Sequence, residues 1–314
     1  MKKEINTLDL FCGAGGLSEG FKEAGFNVLL GVDTNKIALE TFKLNHTKSK
    51  ILCKDISKVS GKEIRKIVNK KIDIIIGGAP CQGFSMAGKR DPTDKRNFLI
   101  KHFIRIVSEV KPKFFIIENV RGLISMKMKN GKKFLDFMKN LSEKRGYFIK
   151  EFLLNAADYG VPQKRRRVFL IGSRNKNFGL RLIKRKSIPV SKILLPKNKI
   201  PENYFYSKKM ISGFKERAVK NKELRRGFGW QFLNLKKPSY TISARYWKDG
   251  AEALVKYSET KIRKLMPEEC ARIQSFPKNY KFCGNTIERY MQIGNAVPPQ
   301  LAYSIAKEMK KFNY

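Results

Sequence analysis

The sequence predicts an α/β fold, with a Rossmann-like large domain and a small, irregular second domain. Three observations carry that expectation. Apolar runs of strand length recur along the chain, and each ends in small, acidic or thiol residues. A glycine-rich turn, Cys12-Gly13-Ala14-Gly15-Gly16-Leu17-Ser18, follows the first run and opens a helical segment. Between Arg181 and Arg226 the alternation is lost: fifteen basic residues face three acidic ones, with Pro189, Pro196 and Pro201 among them.

Asn6 to Phe11 reads as the first strand, and Glu19 to Ala24 as the helix after the turn, ending near Gly25. Such a unit holds a nucleotide-bearing ligand over its glycine turn. The second strand, Val28 to Val32, delivers Asp33, placed to bind ribose hydroxyls; the competing role is a cap for a helix from Asn35 to Leu44. After Ile51-Leu52, Asp55-Ile56 is placed to lie over an adenine ring.

Ile72 to Ile76 is the fourth strand, followed by Gly77-Gly78-Ala79-Pro80-Cys81-Gln82-Gly83-Phe84-Ser85. The glycines let backbone approach a ligand closely, while Pro80 fixes its own φ and biases Ala79 toward extended backbone. Cys81 is thus presented from a stiff turn at the carboxyl end of a buried strand. Open α/β sheets bind ligands there, so Cys81 is a candidate nucleophile. Its alternative is a small buried apolar residue. The loop from Gly83 to Arg96 carries Gly88, Lys89, Arg90 and Lys95, a composition suited to closing on a phosphate backbone, and a helix near Phe98 to Val110 follows.

Lys113 to Ile117, the fifth strand, delivers Glu118-Asn119-Val120. A carboxylate after a wholly apolar strand is desolvated, which raises its pKa; the alternative is a helix cap. Phe148 to Asn155 and Arg167 to Ile171 read as an antiparallel pair. Ahead of the second strand, Gln163, Arg165 and Arg167 share one face. Trp230 to Leu235 and Pro238 to Trp247 interleave basic and aromatic residues, suiting a DNA-facing module in which Arg245 forks onto guanine; the irregularity also fits a plain insertion. Pro267 to Gln274 reads as a helix, and Gly294-Asn295-Ala296-Val297-Pro298-Pro299 leads into a last helix through Met309.

Composition narrows the partners. Lys and Arg total 67 against 27 Asp and Glu, a net charge of +40 that points to a polyanion, although a generally lysine-rich source would give the same excess. The five cysteines are odd in number, never at metal-ligand spacing, and have two histidines to help them. Neither a disulfide framework nor a metal site is expected. With no membrane-length apolar run and no signal segment after Met1-Lys2-Lys3-Glu4, the expected location is the cytoplasm.

Taken together, these residues resemble the DNA (cytosine-5)-methyltransferases, in that family's order. Asp9 to Gly16 looks like its first motif, Pro80-Cys81-Gln82 its nucleophile motif, and Glu118-Asn119-Val120 its acid motif. Gln163 to Arg167 is similar to its Q-x-R-x-R element. Arg263 through Pro277 and Gly294 through Val297 match its last two motifs, leaving Arg174 to Val255 unmatched in detail. Where many members carry Glu and Trp after the second strand, this chain has Asp33 and Thr34, so ribose binding is implied there and aromatic stacking is not.

The resemblance implies a Rossmann-like S-adenosylmethionine-dependent methyltransferase domain over residues 1–174. A small target-recognition domain over 175–283 follows, and residues 284–314 return to the catalytic domain. It implies that Cys81 adds to carbon 6 of a flipped cytosine in double-stranded DNA, that Glu118 serves N3, and that Arg165, helped by Arg167, stabilises the ring oxygen. S-adenosylmethionine would be held by Phe11, Gly13, Gly15, Gly16, Asp33, Asp55, Ile56, Pro80, Asn295 and Ala296. DNA would be met by Gln82, Ser85, Arg96, Gln163, Thr241 and Arg245. A monomeric bacterial enzyme of a restriction–modification system is the implied biology. The alternative within the family is a tRNA cytosine-5 methyltransferase, whose Cys-Phe-Thr signature is missing. Exocyclic amino methylation lacks its Pro-Pro-aromatic motif here, and a non-catalytic paralogue would not need Cys81, Glu118, Arg165 and Arg167 together. An NAD dehydrogenase would need a hydride-site acid or base that the sequence does not supply.

Overall fold

Seven strands form one sheet in the computed structural model, which describes residues 4–79, 99–128, 130–223, 230–248 and 250–312. They are β1 (Asn6–Leu10), β2 (Asn27–Asp33), β3 (Lys50–Cys53), β4 (Ile74–Gly77), β5 (Phe114–Val120), β6 (Phe148–Asn155) and β7 (Arg166–Ser173), in the order β3-β2-β1-β4-β5-β7-β6. β7 runs antiparallel to both of its neighbours, and the remaining pairs are parallel. The expected α/β class and Rossmann-like architecture are what the chain adopts.

Apolar residues on both faces of the central strands explain the layering. On β4, Ile75 packs with Phe103 and Ile104 of α4 (Leu99–Val110) and with Ile64 of α3 (Gly61–Val68); α5 (Phe134–Glu143) closes that layer through Leu135 and Met138. Ile74 and Ile76 face the other way, onto Phe21 of α1 (Gly16–Glu23) and Leu301 and Ile305 of α9 (Pro299–Met309). Each such side chain contributes about 1.5–3 kcal/mol when fully buried. α1 and α9 touch so closely that a Cβ on Gly20 would lie 2.3 Å from the Pro299 carbonyl oxygen. The C-terminal segment therefore completes the layer over the first strand–turn–helix unit.

Three details differ from the sequence-based expectation. β5 continues through Val120, because β7 supplies partners as far as Val120 opposite Arg167; Glu118 lies within the strand, opposite Phe169. Aromatic packing continues past residue 174, where Phe178 packs against Phe114 and Phe312. The irregular segment contains a sixteen-residue helix, α6 (Lys208–Glu223), whose buried stripe is carried by Ile211 and Phe214 alone. Two apolar residues among so many lysines leave too faint a period to read.

Around α6 and the segments that follow it lie two small cores. Tyr206, Ile211, Phe214, Leu254 and Ile262 form one with Trp230 and Phe232. The other joins Ile242, Tyr246 and Leu265 to Ile273 of α7 (Pro267–Ile273) and to Tyr290 and Ile293 of α8 (Thr286–Asn295). Between them the fully buried Arg263 pairs with Glu269 through contacts of 2.7 and 2.9 Å, and Glu269 also accepts from the backbone of Leu195 and Met266. Among the described residues no helix is long and apolar enough to cross a membrane.

Candidate active site

The carboxyl ends of β1, β2, β4 and β5 open into a cleft of about 950 Å³, which residues 294–297 at and after the end of α8 also line, with Ala296 and Val297 against Gly16. The first wall is the glycine turn. Phe11, Gly13 and Gly15 all have positive φ, at 63°, 51° and 88°, which folds the chain back sharply before α1 begins. Left-handed backbone at a phenylalanine is uncommon and marks a constrained position. Here the Cys12 N–H donates to the Val32 carbonyl, and the Gly13 N–H to Asp33 Oδ2 at 2.8 Å. Asp33 Oδ1 accepts from the Asn35 N–H. The carboxylate thus shapes the turn, while Asn35 itself caps α2 (Lys36–Asn45). Among the described residues nothing lies within 4 Å of where a Cβ on Gly13 would be, and Gly13 lines the cleft. Asp55 and Ile56 complete this wall; the Asp55 carboxylate accepts from the Ser57 N–H, which holds its pKa low.

The second wall carries charge. Glu118, 9 % exposed, meets Arg167 Nε at 3.0 Å through one carboxylate oxygen. Burial pushes its carboxyl pKa up, and the Arg167 and Arg165 guanidiniums recover part of that rise. The neighbouring Asn119 donates its amide to the Ala79 carbonyl at 3.3 Å, fixing the backbone immediately ahead of Pro80. Arg165 is buried; its two terminal nitrogens donate to the carbonyls of Ile242, at 3.1 Å, and Gly294, at 2.9 Å. Its Nε is buried and has no hydrogen-bond partner among the described residues. An orphaned buried donor costs free energy unless a ligand takes it up.

Of the expected cofactor residues, the cleft brings together Phe11, Gly13, Gly16, Asp33, Asp55, Ile56, Asn295 and Ala296, with Gly15 one step behind the wall. Glu118, Arg165, Arg167 and Thr241 line the same cleft. Pro80, Cys81, Gln82, Ser85 and Arg96 lie outside the described residues. Arg245 is exposed and does not line the cleft.

Gln163 requires a correction. It is fully buried, accepting from the Ile242 N–H at 2.9 Å and donating to Gln274 at 2.8 Å, so its amide joins protein segments and is not presented to DNA. Gln274, which the sequence did not single out, passes the link on to the Ile293 carbonyl. Thr241 likewise donates to the Lys164 carbonyl. These contacts set residues 239–243 against 162–165, and Gly294 abuts the backbone of Ser243 and Ala244. Residues 239–243, the charged wall and residue 294 therefore meet at Arg165.

Burial pushes the thiol pKa values of Cys12, which lines the cleft, and of Cys270 well up, which disfavours the thiolate at both. Cys53 and Cys283 stand outside the cleft.

The family model for C-5 cytosine-specific DNA methylases matches residues 5–311. The type II methyltransferase M1.HphI of Haemophilus parahaemolyticus is 36% identical over 98% of this chain and 87% of its own length. M.FnuDI of Fusobacterium nucleatum, also a type II methyltransferase, is 34% identical over 98% and 94%. A structure described as a DNA modification methyltransferase encoded within a prophage of E. coli superposes with a TM-score of 0.76 at 26% identity, covering 98% of this chain and 99% of that one. The DNMT2 structure from Spodoptera frugiperda, at 20% identity and a TM-score of 0.77 over 98% and 100%, shares the fold. With the model spanning nearly the whole chain and relatives this similar over most of their own length, the chain belongs to the C-5 cytosine-specific DNA methylases.

Proposed function

We propose that this DNA (cytosine-5)-methyltransferase acts on a cytosine flipped out of double-stranded DNA, through a covalent adduct between Cys81 and carbon 6. A stacked base is closed to attack above and below its ring, so the target must leave the helix. The Cys81 thiolate adds to carbon 6, and the electron pair of the 5,6 double bond moves toward carbon 5. Glu118 bonds the base at N3, and the unpaired Arg165 Nε meets the ring oxygen, so negative charge has two partners as it develops. Arg167 holds Glu118 in place. S-adenosylmethionine supplies the electrophilic methyl group. Its ribose falls to Asp33, its adenine to Asp55 and Ile56, and its amino-acid end to Asn295, Ala296 and the backbone of Phe11 to Gly16. Loss of the carbon 5 proton and departure of the thiolate restore the aromatic ring.

The observation that carries this reading is the cleft itself. One space holds an open glycine turn with its Asp33 partner, a desolvated carboxyl paired to arginine, and a buried arginine donor with no partner among the described residues. The segment from about Arg181 to Val255 supplies sequence choice, with Arg245 the leading candidate for a base contact, and the Gly83–Arg96 loop closes on the backbone. The chain acts as a monomer and as the modification half of a restriction system. Bisulfite sequencing of DNA from cells expressing the chain should reveal 5-methylcytosine in one short sequence context. Unmodified DNA with methylated RNA would overturn the substrate.

A further inference from the structure

A strap running from Tyr280 to Cys283 crosses from the second domain to α8 and lies behind the glycine turn. It is pinned at several points. Asn45 clasps the Lys281 backbone from both sides, donating to its carbonyl at 2.8 Å and accepting from its N–H at 3.0 Å. The Cys283 N–H donates to Thr41 Oγ1 at 2.8 Å, and Gln292 donates to the Cys283 carbonyl at 2.9 Å. So anchored, Tyr280 donates its hydroxyl to the Ala14 carbonyl in the middle of the turn. His46, at the end of α2, places Nε2 3.4 Å from the same hydroxyl while its ring stacks on Phe42. A Cβ on Gly15 would lie 2.7 Å from His46 Nε2 and 2.8 Å from the Tyr280 hydroxyl, so the turn rests directly on the pair.

We infer that Tyr280 and His46 form a latch that holds the Ala14–Gly15 backbone in its cofactor-binding shape, making Tyr280 a positioning residue for S-adenosylmethionine. The inference rests on the cofactor assignment above. Two left-handed glycines give the turn many alternative conformations. Without the latch, the bound conformation is a smaller fraction of the free population, and apparent affinity falls by that fraction. Burial pushes the His46 pKa down to about 3 and raises that of the Tyr280 phenol, and a Glu19 carboxylate oxygen lies 3.6 Å from His46 Nε2. Tyr280 also shares an aromatic core with Phe276 and Tyr290, so the strap carries the seating of the second domain to the cofactor turn.

The test is titration of S-adenosylhomocysteine into the full chain by calorimetry. Tyr280→Phe keeps the ring and should raise Kd about tenfold, the scale of one well-placed hydrogen bond. The KM for S-adenosylmethionine should rise in parallel, while turnover at saturating cofactor falls less than about threefold. Tyr290→Phe, which removes a buried hydroxyl from the same core without touching the turn, should stay within about twofold of the parent Kd. His46→Gln keeps a donor and should retain most of the affinity that His46→Leu loses. A Tyr280→Phe chain that binds as tightly as the parent overturns the latch. So does an equal weakening by Tyr280→Phe and Tyr290→Phe that tracks melting temperature. A parent chain that binds no S-adenosylhomocysteine would overturn the cofactor assignment itself, and the latch with it.

Discussion

Glu118 sets the chemistry at the residue scale. Its carboxyl is pushed up by burial and drawn back by two guanidiniums, leaving it raised above an ordinary glutamate and placed to share or lend a proton. Glu118→Gln should lower turnover on the order of 10²-fold while S-adenosylhomocysteine affinity stays near that of the parent, as steady-state rates beside calorimetry will report. Asp33 should behave in the opposite way. Asp33→Ala removes acceptors from the Gly13 and Asn35 N–H groups, so the cofactor KM should rise far more than saturated turnover falls. A loss confined to turnover would take Asp33 out of the cofactor site. Both acids were legible because each follows a run of apolar strand residues in the sequence. The partners of Arg165 were not, since the carbonyls of Ile242 and Gly294 lie 77 and 129 residues along the chain. No local pattern encodes which distant carbonyl a buried guanidinium will meet.

Elements repeat that division. The strands of the sheet could be read because both faces are buried, which leaves runs of isoleucine, valine and phenylalanine. β5 was expected to end at Ile117 and runs on to Val120, because its length is decided by an antiparallel partner some fifty residues away. α6 escaped notice since its seat is narrow. β1 contains a second buried acid, Asp9, which accepts from the Ser18 hydroxyl at 2.6 Å and whose pKa is raised to about 8, mainly by burial. From about pH 4 to 8 the folded chain keeps a proton that the unfolded chain has released, so this group's contribution to stability falls as pH rises. Asp9→Asn removes that slope. Relative to the parent, its melting temperature should be higher at pH 8 than at pH 5, and an equal offset at both would mean that Asp9 is ionised. At the other end of the chain, breaking the buried Arg263–Glu269 pair with Arg263→Met should cost about 3–5 kcal/mol in denaturant unfolding, because the buried Glu269 would lose its cation.

At the scale of the whole molecule, Arg165, Gln163 and Gln274 tie residues 242 and 293–294 to the end of the sheet, in a chain whose net charge is +40. General lysine contacts position DNA without choosing a sequence, whereas a forked side chain at a base edge chooses one. Arg245→Ala should relax preference at one base pair, at a cost of roughly 1–3 kcal/mol, and methylation mapping across a genome will display it. Lys220→Ala on α6 should reduce only the salt dependence of binding. The central claim is that this cleft presents a flipped cytosine to Cys81, and trapping on DNA containing 5-fluorocytosine tests it most directly, since fluorine cannot leave as the carbon 5 proton does. With S-adenosylmethionine present, the parent chain should form a denaturation-resistant protein–DNA adduct whose mass includes one added methyl group and whose attachment maps to Cys81. Cys81→Ala should form none, and an adduct that persists in that variant, or fails to form in the parent, would contradict the account.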